Sequence, residues 1–338
     1  MSRPTMRDVA KKSGFSITTV SFVLNNKTVS IPQQTKDKIY EAVRELRYRP
    51  NQLAVSLTTK KTKVLGLIIP DNSNLFFAEL SKAIEITARE EGYSLIYGNS
   101  NNNPKTDLEY MHVFTDHQVD GIIFTKSTSP PLEEDEESLA FISKSATPII
   151  AVDRMIPGSN VPSVMLNHLK GGQLATRHLI ESGHRRIGCF TGPLELASSM
   201  ERLKGYRSAL AEAGIEYDDT LLFEGNYQLG REEEALEYLL QRGVSAIFSF
   251  NDIMAFGLYR EAQRRHLSIP RDISIVGFDD IPFCSILLPG LTTIRQPIAD
   301  MGKCAVKVLL DRINGAEQPN ENHLFEPQLI LRESVRPV

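Results

Sequence analysis

Met6-Arg-Asp-Val-Ala-Lys-Lys-Ser-Gly-Phe-Ser-Ile-Thr-Thr-Val-Ser-Phe-Val-Leu-Asn25 reads as two short helices joined by a tight turn. Met6, Val9 and Ala10 recur at helical spacing, so Met6 to Ser13 is an amphipathic helix. Gly14 stops it, and Phe15 turns inward. Ser16 suits the N-cap of a second helix from Ile17 to Leu24, because a hydroxyl accepts from an orphan amide of the first turn. Val20, Val23 and Leu24 form its apolar face, and Asn25-Asn26 ends it. Pro32 then opens a third helix with Ile39, Ala42, Val43 and Leu46 turned inward. Helix, glycine turn, helix and supporting helix make a helix-turn-helix. Its second helix leaves Ile17, Thr18 and Ser21 exposed, short side chains able to reach base edges and thymine methyls.

The charge distribution supports that reading. Residues 1–63 carry 13 Lys and Arg against 4 Asp and Glu, a net +9, while the rest of the 338-residue chain carries −13. A basic segment on an acidic body suits a phosphate-binding headpiece. A content of 41% hydrophobic and 24% charged residues is that of a globular protein of two or three domains. No apolar run approaches the roughly 18 residues of a membrane helix, and the polar start shows no secretory signal. Cys189, Cys284 and Cys304 are odd in number and far apart. They read as buried apolar residues in a reducing, cytoplasmic setting. No histidine spacing suggests a metal site, and no cofactor is expected.

The quoted stretch resembles the headpiece signature of the LacI/GalR family of bacterial repressors. Tyr48-Arg-Pro-Asn-Gln-Leu-Ala-Val-Ser-Leu57 resembles that family's hinge helix, and the likeness runs nearly end to end. The resemblance implies double-stranded operator DNA as a partner. It implies Ile17 and Thr18 as base readers and Leu57 as a minor-groove wedge. Thr5, Ser16, Ser21, Phe22, Asn25, Tyr48, Asn51 and Ala54 complete the DNA-binding set. Asn51 to Leu57 is too short for a stable isolated helix, so it would fold only when paired with a second copy and DNA. Phe22 and Val55 depart from the family pattern, and that bears on the operator sequence.

Beyond Lys63, apolar runs alternate with amphipathic helices, which argues for α/β architecture with parallel sheets. Strands are expected over 64–69, 94–98, 121–124, 149–152, 163–166, 187–191, 246–250 and 273–278. Helices are expected over 76–91, 106–117, 170–181, 202–213, 231–241, 253–265 and 298–314. The domain plan is a headpiece over 1–49, a hinge over 50–63 and an effector-binding and dimerisation domain over 64–338. That domain divides into one lobe of about 64–162 and 296–326 and another of about 163–293 and 327–335. By resemblance this is the two-lobed fold of periplasmic sugar-binding proteins.

Ligands of open α/β sheets sit beyond the carboxyl ends of strands. Polar and aromatic residues recur there, and Asp, Asn and Arg beside aromatic rings suit a sugar's hydroxyls and C–H faces. Asn74, Phe76, Phe77, Asp153, Arg154, Arg202, Tyr227, Asn251, Asp279 and Gln296 also fall on the ligand pattern of ribose-type binding proteins and sugar-responsive repressors. Leu75 stands where the usual residue is proline. The purine-responsive branch typically lacks the amide at Asn251, so ribose or a similar monosaccharide is favoured. Arg202 is expected to open its helix. Asp252, Asp280 and Asn72 read as turn formers or caps.

Nucleophile-elbow, P-loop and dinucleotide motifs are absent, and adjacent Asp279 and Asp280 do not suit a glycosidase pair. The expected function is therefore a non-enzymatic homodimeric repressor controlled by a sugar in the interlobe cleft. Alternatives of the same fold respond to a purine, a phosphosugar or a partner protein at Lys303 and Lys307. A sugar-processing enzyme fused to a DNA-binding domain is the remote alternative. The absence of a leucine heptad before Val338 favours a dimer over a tetramer.

Overall fold

Residues 4–24, 30–48, 61–127, 133–316 and 321–338 are described by the computed structural model. They fall into two units, Met1–Thr62 and Lys63–Val338. The first unit contains α1 (Met6–Ser13), α2 (Ile17–Leu24) and α3 (Gln33–Glu45). Thr5 caps α1 in a reciprocal box with Asp8, and Gly14 closes it at φ 76°. Val9, Val20, Val23, Ile39 and Ala42 bury the shared core. Asn25, Asn51, Ala54, Val55 and Leu57 lie outside the described residues.

The second unit holds two sheets. The first contains β1 (Val64–Ile69), β2 (Ser94–Asn99), β3 (Gly121–Phe124), β4 (Ile149–Val152), β5 (Ser163–Leu166) and β11 (His323–Phe325). Its order is β11-β5-β4-β3-β1-β2, parallel throughout. The second contains β6 (Ile187–Thr191), β7 (Leu222–Glu224), β8 (Ala246–Ser249), β9 (Ser274–Asp279), β10 (Thr292–Arg295) and β12 (Gln328–Ile330). Its order is β12-β10-β9-β8-β6-β7, with β12 antiparallel to β10. Strands such as Val-Leu-Gly-Leu-Ile-Ile in β1 are apolar end to end because helices cover both faces of a parallel sheet. The first lobe carries α4 (Leu75–Glu90), α5 (Pro104–Asp116), α6 (Glu133–Lys144) and α11 (Ile298–Ile313). The second carries α7 (His168–Glu181), α8 (Ala197–Glu212), α9 (Glu232–Gln241) and α10 (Asp252–Arg264).

The chain passes between the lobes after β5, after β10 and after β11. Two of these passages are tied together. Asn167 N–H donates to Phe325 O at 2.8 Å, and its amide nitrogen donates to Glu326 Oε1 at 2.9 Å. The division expected near residue 162 is corrected by this topology. Ser163–Leu166 pairs with β4 through Ala151 and Val152 and so completes the first sheet. No local pattern tells a strand which of two like sheets it will join. Cys304 is only partly buried, unlike Cys189 and Cys284.

In the second lobe, α7 and α8 cross at backbone contact. A Cβ on Gly172 would stand 2.2 Å from Arg202 O, and one on Gly205 would stand 2.1 Å from Leu169 O. Glycine is required at this crossing because only backbone lies opposite. The contact fixes the height at which α8 delivers its side chains to the cleft.

Candidate effector cleft and recognition helix

On the headpiece, Ile17 is 45% exposed although it is a large aliphatic residue, and Thr18 beside it is exposed. Both sit in the first turn of α2, which Ser16 caps by accepting from Thr19 N–H at 3.1 Å. Ser21 and Phe22 are half-buried. Thr5 is exposed, with its hydroxyl engaged by Asp8 Oδ2 at 2.7 Å. Tyr48 is 8% exposed and packs its ring into the headpiece core.

In the second unit every residue expected to hold ligand lines one pocket between the lobes. Asn74, Phe76, Phe77, Asp153 and Arg154 come from the first lobe, and Arg202, Tyr227, Asn251 and Asp279 from the second. Gln296 joins them from the passage that follows β10. Position beyond strand ends pointed to several of them, because parallel strands aim those ends at one crevice, and the family resemblance implied the full set. Arg202 was expected to open its helix. It lies instead in the second turn of α8, which begins at Ala197.

Several of these side chains also build the local backbone. Asn74 caps α4 by accepting from Phe76 N–H at 3.0 Å, which seats Phe76 and Phe77 edge to face at 5.1 Å. Asn251 caps α10 by accepting from Met254 N–H at 2.9 Å. Its amide nitrogen donates to Tyr227 O at 3.0 Å and holds the loop that bears that ring. Asp153, Tyr227 and Asp279 adopt left-handed φ of 67°, 64° and 120°. Non-glycine residues in that region are strained, and three such residues facing one cleft mark a built site.

Acidic and basic side chains meet in the cleft. Arg154 donates to Lys126 O at 2.7 Å, and its Nε stands 3.5 Å from Asp153 Oδ2, close enough for an ion pair but without a hydrogen bond. Arg202 donates to Phe250 O and lays its guanidinium 3.6 Å from the Phe278 ring centre. Gln296 donates to Asp279 Oδ1 at 2.6 Å and leaves its own Oε1 buried without a partner. Burial raises the carboxyls of Asp153 and Asp279, Asp279 strongly, while Arg202 opposes the rise in both and Arg154 in Asp153. Asp280 takes a different task. It turns to Arg295 at 2.7 Å and Arg332 at 2.6 Å, a structural tie rather than a simple turn former.

Asp252 was read as a cap and is corrected. Asn251 is the cap, and Asp252 is a buried brace. Its Oδ1 accepts from Thr293 Oγ1 at 2.6 Å and its Oδ2 from Ile281 N–H at 3.0 Å, fixing the segment after Asp279. Burial lifts its carboxyl from 3.8 to about 6. Between those values the folded chain holds a proton that the unfolded chain lacks, so lowering the pH through 6 stabilises the fold. The stability advantage of the natural protein over Asp252→Asn should therefore widen from pH 7 to pH 5, by about 1 kcal/mol per unit below the folded value. Urea midpoints of both proteins at the two pH values check this, and a constant difference would count against it.

One lining residue, Ser198, and one residue bonded to the lining, His168, fall outside the expected set. His168 follows β5 at the start of α7, and its ring accepts at Nδ1 from Arg202 Nε at 3.3 Å. The strand-end rule applied to Ser163–Leu166 would have found it. Burial, with Arg202 and Arg154 nearby, holds it well below the usual histidine range, so it is neutral. Ser198 enters from the first turn of α8 and carried no sequence signal. Among the described residues, no group of His, Cys, Asp and Glu is placed to hold a metal ion. No helix there is long and apolar enough to cross a membrane.

Residues 5–51 match the family described as bacterial regulatory proteins, lacI family, and residues 176–335 match the periplasmic binding protein-like domain. The chain is 36% identical over 336 residues to the HTH-type transcriptional repressor PurR of Aliivibrio salmonicida, covering 98% of each. The lac repressor dimer bound to operator and the anti-inducer ONPF is similar over 99% of this chain and 100% of its own, at 27% identity and a TM-score of 0.87. A LacI family regulator from Enterococcus faecium with bound ribose is similar over 81% of this chain and 99% of its own, at 31% identity and a TM-score of 0.73. With a basic helix-turn-helix at one end, a built cleft at the other and end-to-end likeness to repressors rather than enzymes, the chain belongs to the lacI family of bacterial DNA-binding regulators.

Proposed function

We propose that the protein is a cytoplasmic homodimeric repressor that binds a near-palindromic operator and is controlled by a small neutral sugar, with ribose or a neighbouring monosaccharide first. The observation that carries the effector reading is the pairing of unmet groups in one cleft. Gln296 Oε1 is a buried acceptor without a donor, and Arg154 Nε is a buried donor without an acceptor. Buried polar groups are normally satisfied, and a hydroxyl both donates and accepts. Each guanidinium group in the cleft is faced by an acidic side chain, an arrangement that suits hydroxyl groups. The ribose held by the similar Enterococcus faecium regulator points the same way.

In this reading Ile17 and Thr18 read bases in the major groove, with Thr5, Ser16, Ser21 and Phe22 around them. The hinge calls for Asn51 and Ala54 beside the Leu57 wedge. Sugar closes the lobes and releases operator, which requires tighter binding to the closed state. Ile17→Ala should weaken the specific operator by about 1–3 kcal/mol per half-site while leaving sugar affinity unchanged, measured by fluorescence anisotropy on a selected operator. Unchanged operator affinity would remove Ile17 from the reading face. A second reading, a purine effector, is favoured by the similarity to the repressor PurR. Titrating the operator complex with free sugars, phosphosugars and purine bases separates the two. Response to a purine base alone would replace the sugar.

A further inference from the structure

The segment that follows β3, Thr125 to Ser127, is held at both ends. Thr125 N–H donates to Ile68 O at 2.9 Å and its hydroxyl to Val152 O at 3.0 Å, which ties the segment to β1 and β4. Ser127 anchors it two residues later. Its N–H donates to Asp107 Oδ2 at 2.9 Å and its hydroxyl to Asp107 Oδ1 at 2.9 Å. Between these anchors the Lys126 carbonyl accepts from Arg154 Nη1 at 2.7 Å.

Asp107 stands outside the pocket that gathers the expected ligand residues and is 2% exposed. It lies in the first turn of α5, where an acid ordinarily serves the amides of its own helix. Asn103 has that task here, accepting from Lys105 N–H at 3.0 Å, and Asp107 turns both oxygens to Ser127. The Ser127 hydroxyl is also 2.8 Å from that of Ser100, buried just beyond β2. A carboxylate only accepts, so Ser127 donates to Asp107 and takes its own hydrogen bond from Ser100. The acid fixes the direction of this chain as well as its place.

Arg154 depends on that chain. Its Nε stands 3.5 Å from Asp153 Oδ2 and makes no hydrogen bond, so the bond to Lys126 O is what aims the guanidinium. We infer that Asp107 is the positioning residue for Arg154. From one element behind the cleft it holds Ser127, Ser127 holds the Lys126 carbonyl, and the carbonyl aims the guanidinium. Its consequence for effector affinity rests on the proposed reading of Arg154 as a ligand residue.

The test uses the full-length protein. Urea unfolding of Asp107→Ala, Arg154→Met and the double variant measures the link without any ligand. Asp107→Ala should raise the unfolding equilibrium constant at least about fivefold less in the Arg154→Met background than in the natural one, because members of one hydrogen-bond network couple. If Asp107→Ala does not fold, Ser127→Ala, which keeps the amide bond to Asp107, carries the same cycle with an expected coupling of about threefold. Calorimetric titration with D-ribose and hypoxanthine measures the consequence. Asp107→Ala should weaken whichever probe binds by at least about tenfold, and Asp107→Asn, whose amide still accepts from Ser127 N–H, should restore it to within about threefold. Additive stabilities would overturn the link and leave Asp107 as an anchor of α5 alone. Lost affinity without coupling would also overturn it, because the effect would not pass through Arg154. Coupling with neither probe bound would support the link and count against the sugar and purine readings. Coupling with full affinity retained would support the link and remove Arg154 from the ligand set.

Discussion

Arg202→Met is expected to abolish the effector response and to destabilise the second unit by about 3–5 kcal/mol, the usual cost of stranding buried charge. Arg202 is 4% exposed, and its guanidinium is the cation that opposes the burial shifts of both Asp153 and Asp279. Methionine keeps much of the side-chain volume over Phe278 but removes the charge, the hydrogen bond to Phe250 O and the brace on His168. The sign of the pH dependence follows from the two carboxyls. Both are raised in the fold, so each is bound to its proton more readily folded than unfolded, and the penalty of keeping it ionised grows as pH rises. Without Arg202 their rise is steeper, so the variant should lose most at pH 8 and least at pH 5. Urea unfolding across that range, with effector titration at pH 7, measures both effects. A variant that still bound effector with natural affinity would remove the cleft from the mechanism.

Gly205→Ala is expected to cost about 3 kcal/mol, the upper end for overpacking, although it adds one methyl group and improves helix propensity. The new Cβ would stand 2.1 Å from Leu169 O and 2.7 Å from Gln173 N, both backbone atoms of α7 that no rotamer change can move. The helices must part. Arg202 lies one turn before Gly205 on α8, so its guanidinium moves with them and effector affinity should fall as well. Gly172→Ala forces the same separation from the other side, against Arg202 O at 2.2 Å. The double variant should therefore cost less than the sum of the singles, because helices already parted accommodate the second methyl. Ala211→Gly, exposed on the same helix, provides the contrast with a cost of about 1 kcal/mol from propensity alone. Strict additivity of the two glycine variants would show that the crossing is not a shared constraint.

The two variants act on different parts of one device. Arg202 supplies the charge that holds the cleft together, and the glycine crossing sets where that charge sits. Gln296 lies on a passage between the lobes and takes part in both ligand pocket and passage, hydrogen-bonded to Asp279. Under the proposed lobe closure, a ligand that satisfies Gln296 Oε1 would act directly on a segment that must bend.

Much of this protein was written locally. Helical spacing of Val9, Val20 and Ile39 determined the headpiece, because each helix needs only its own apolar stripe to find the shared core. Apolar strands ending in Asp153, Asn251 and Asp279 placed those three at the cleft, because a parallel sheet aims its strand ends one way, while the family resemblance implied the rest. What only the tertiary structure decided depended on pairing across long sequence distances. Ser163–Leu166 joined the first sheet by lying against β4, Tyr48 turned inward, and the adjacent Asp279 and Asp280 faced opposite partners. Asp252 became a brace because Thr293 and Ile281 reach it from elements far along the chain. Ser198 was invisible for the same reason. Periodicity reports which face of an element is apolar, whereas the shape and chemistry of a space between two lobes exist only once both have packed.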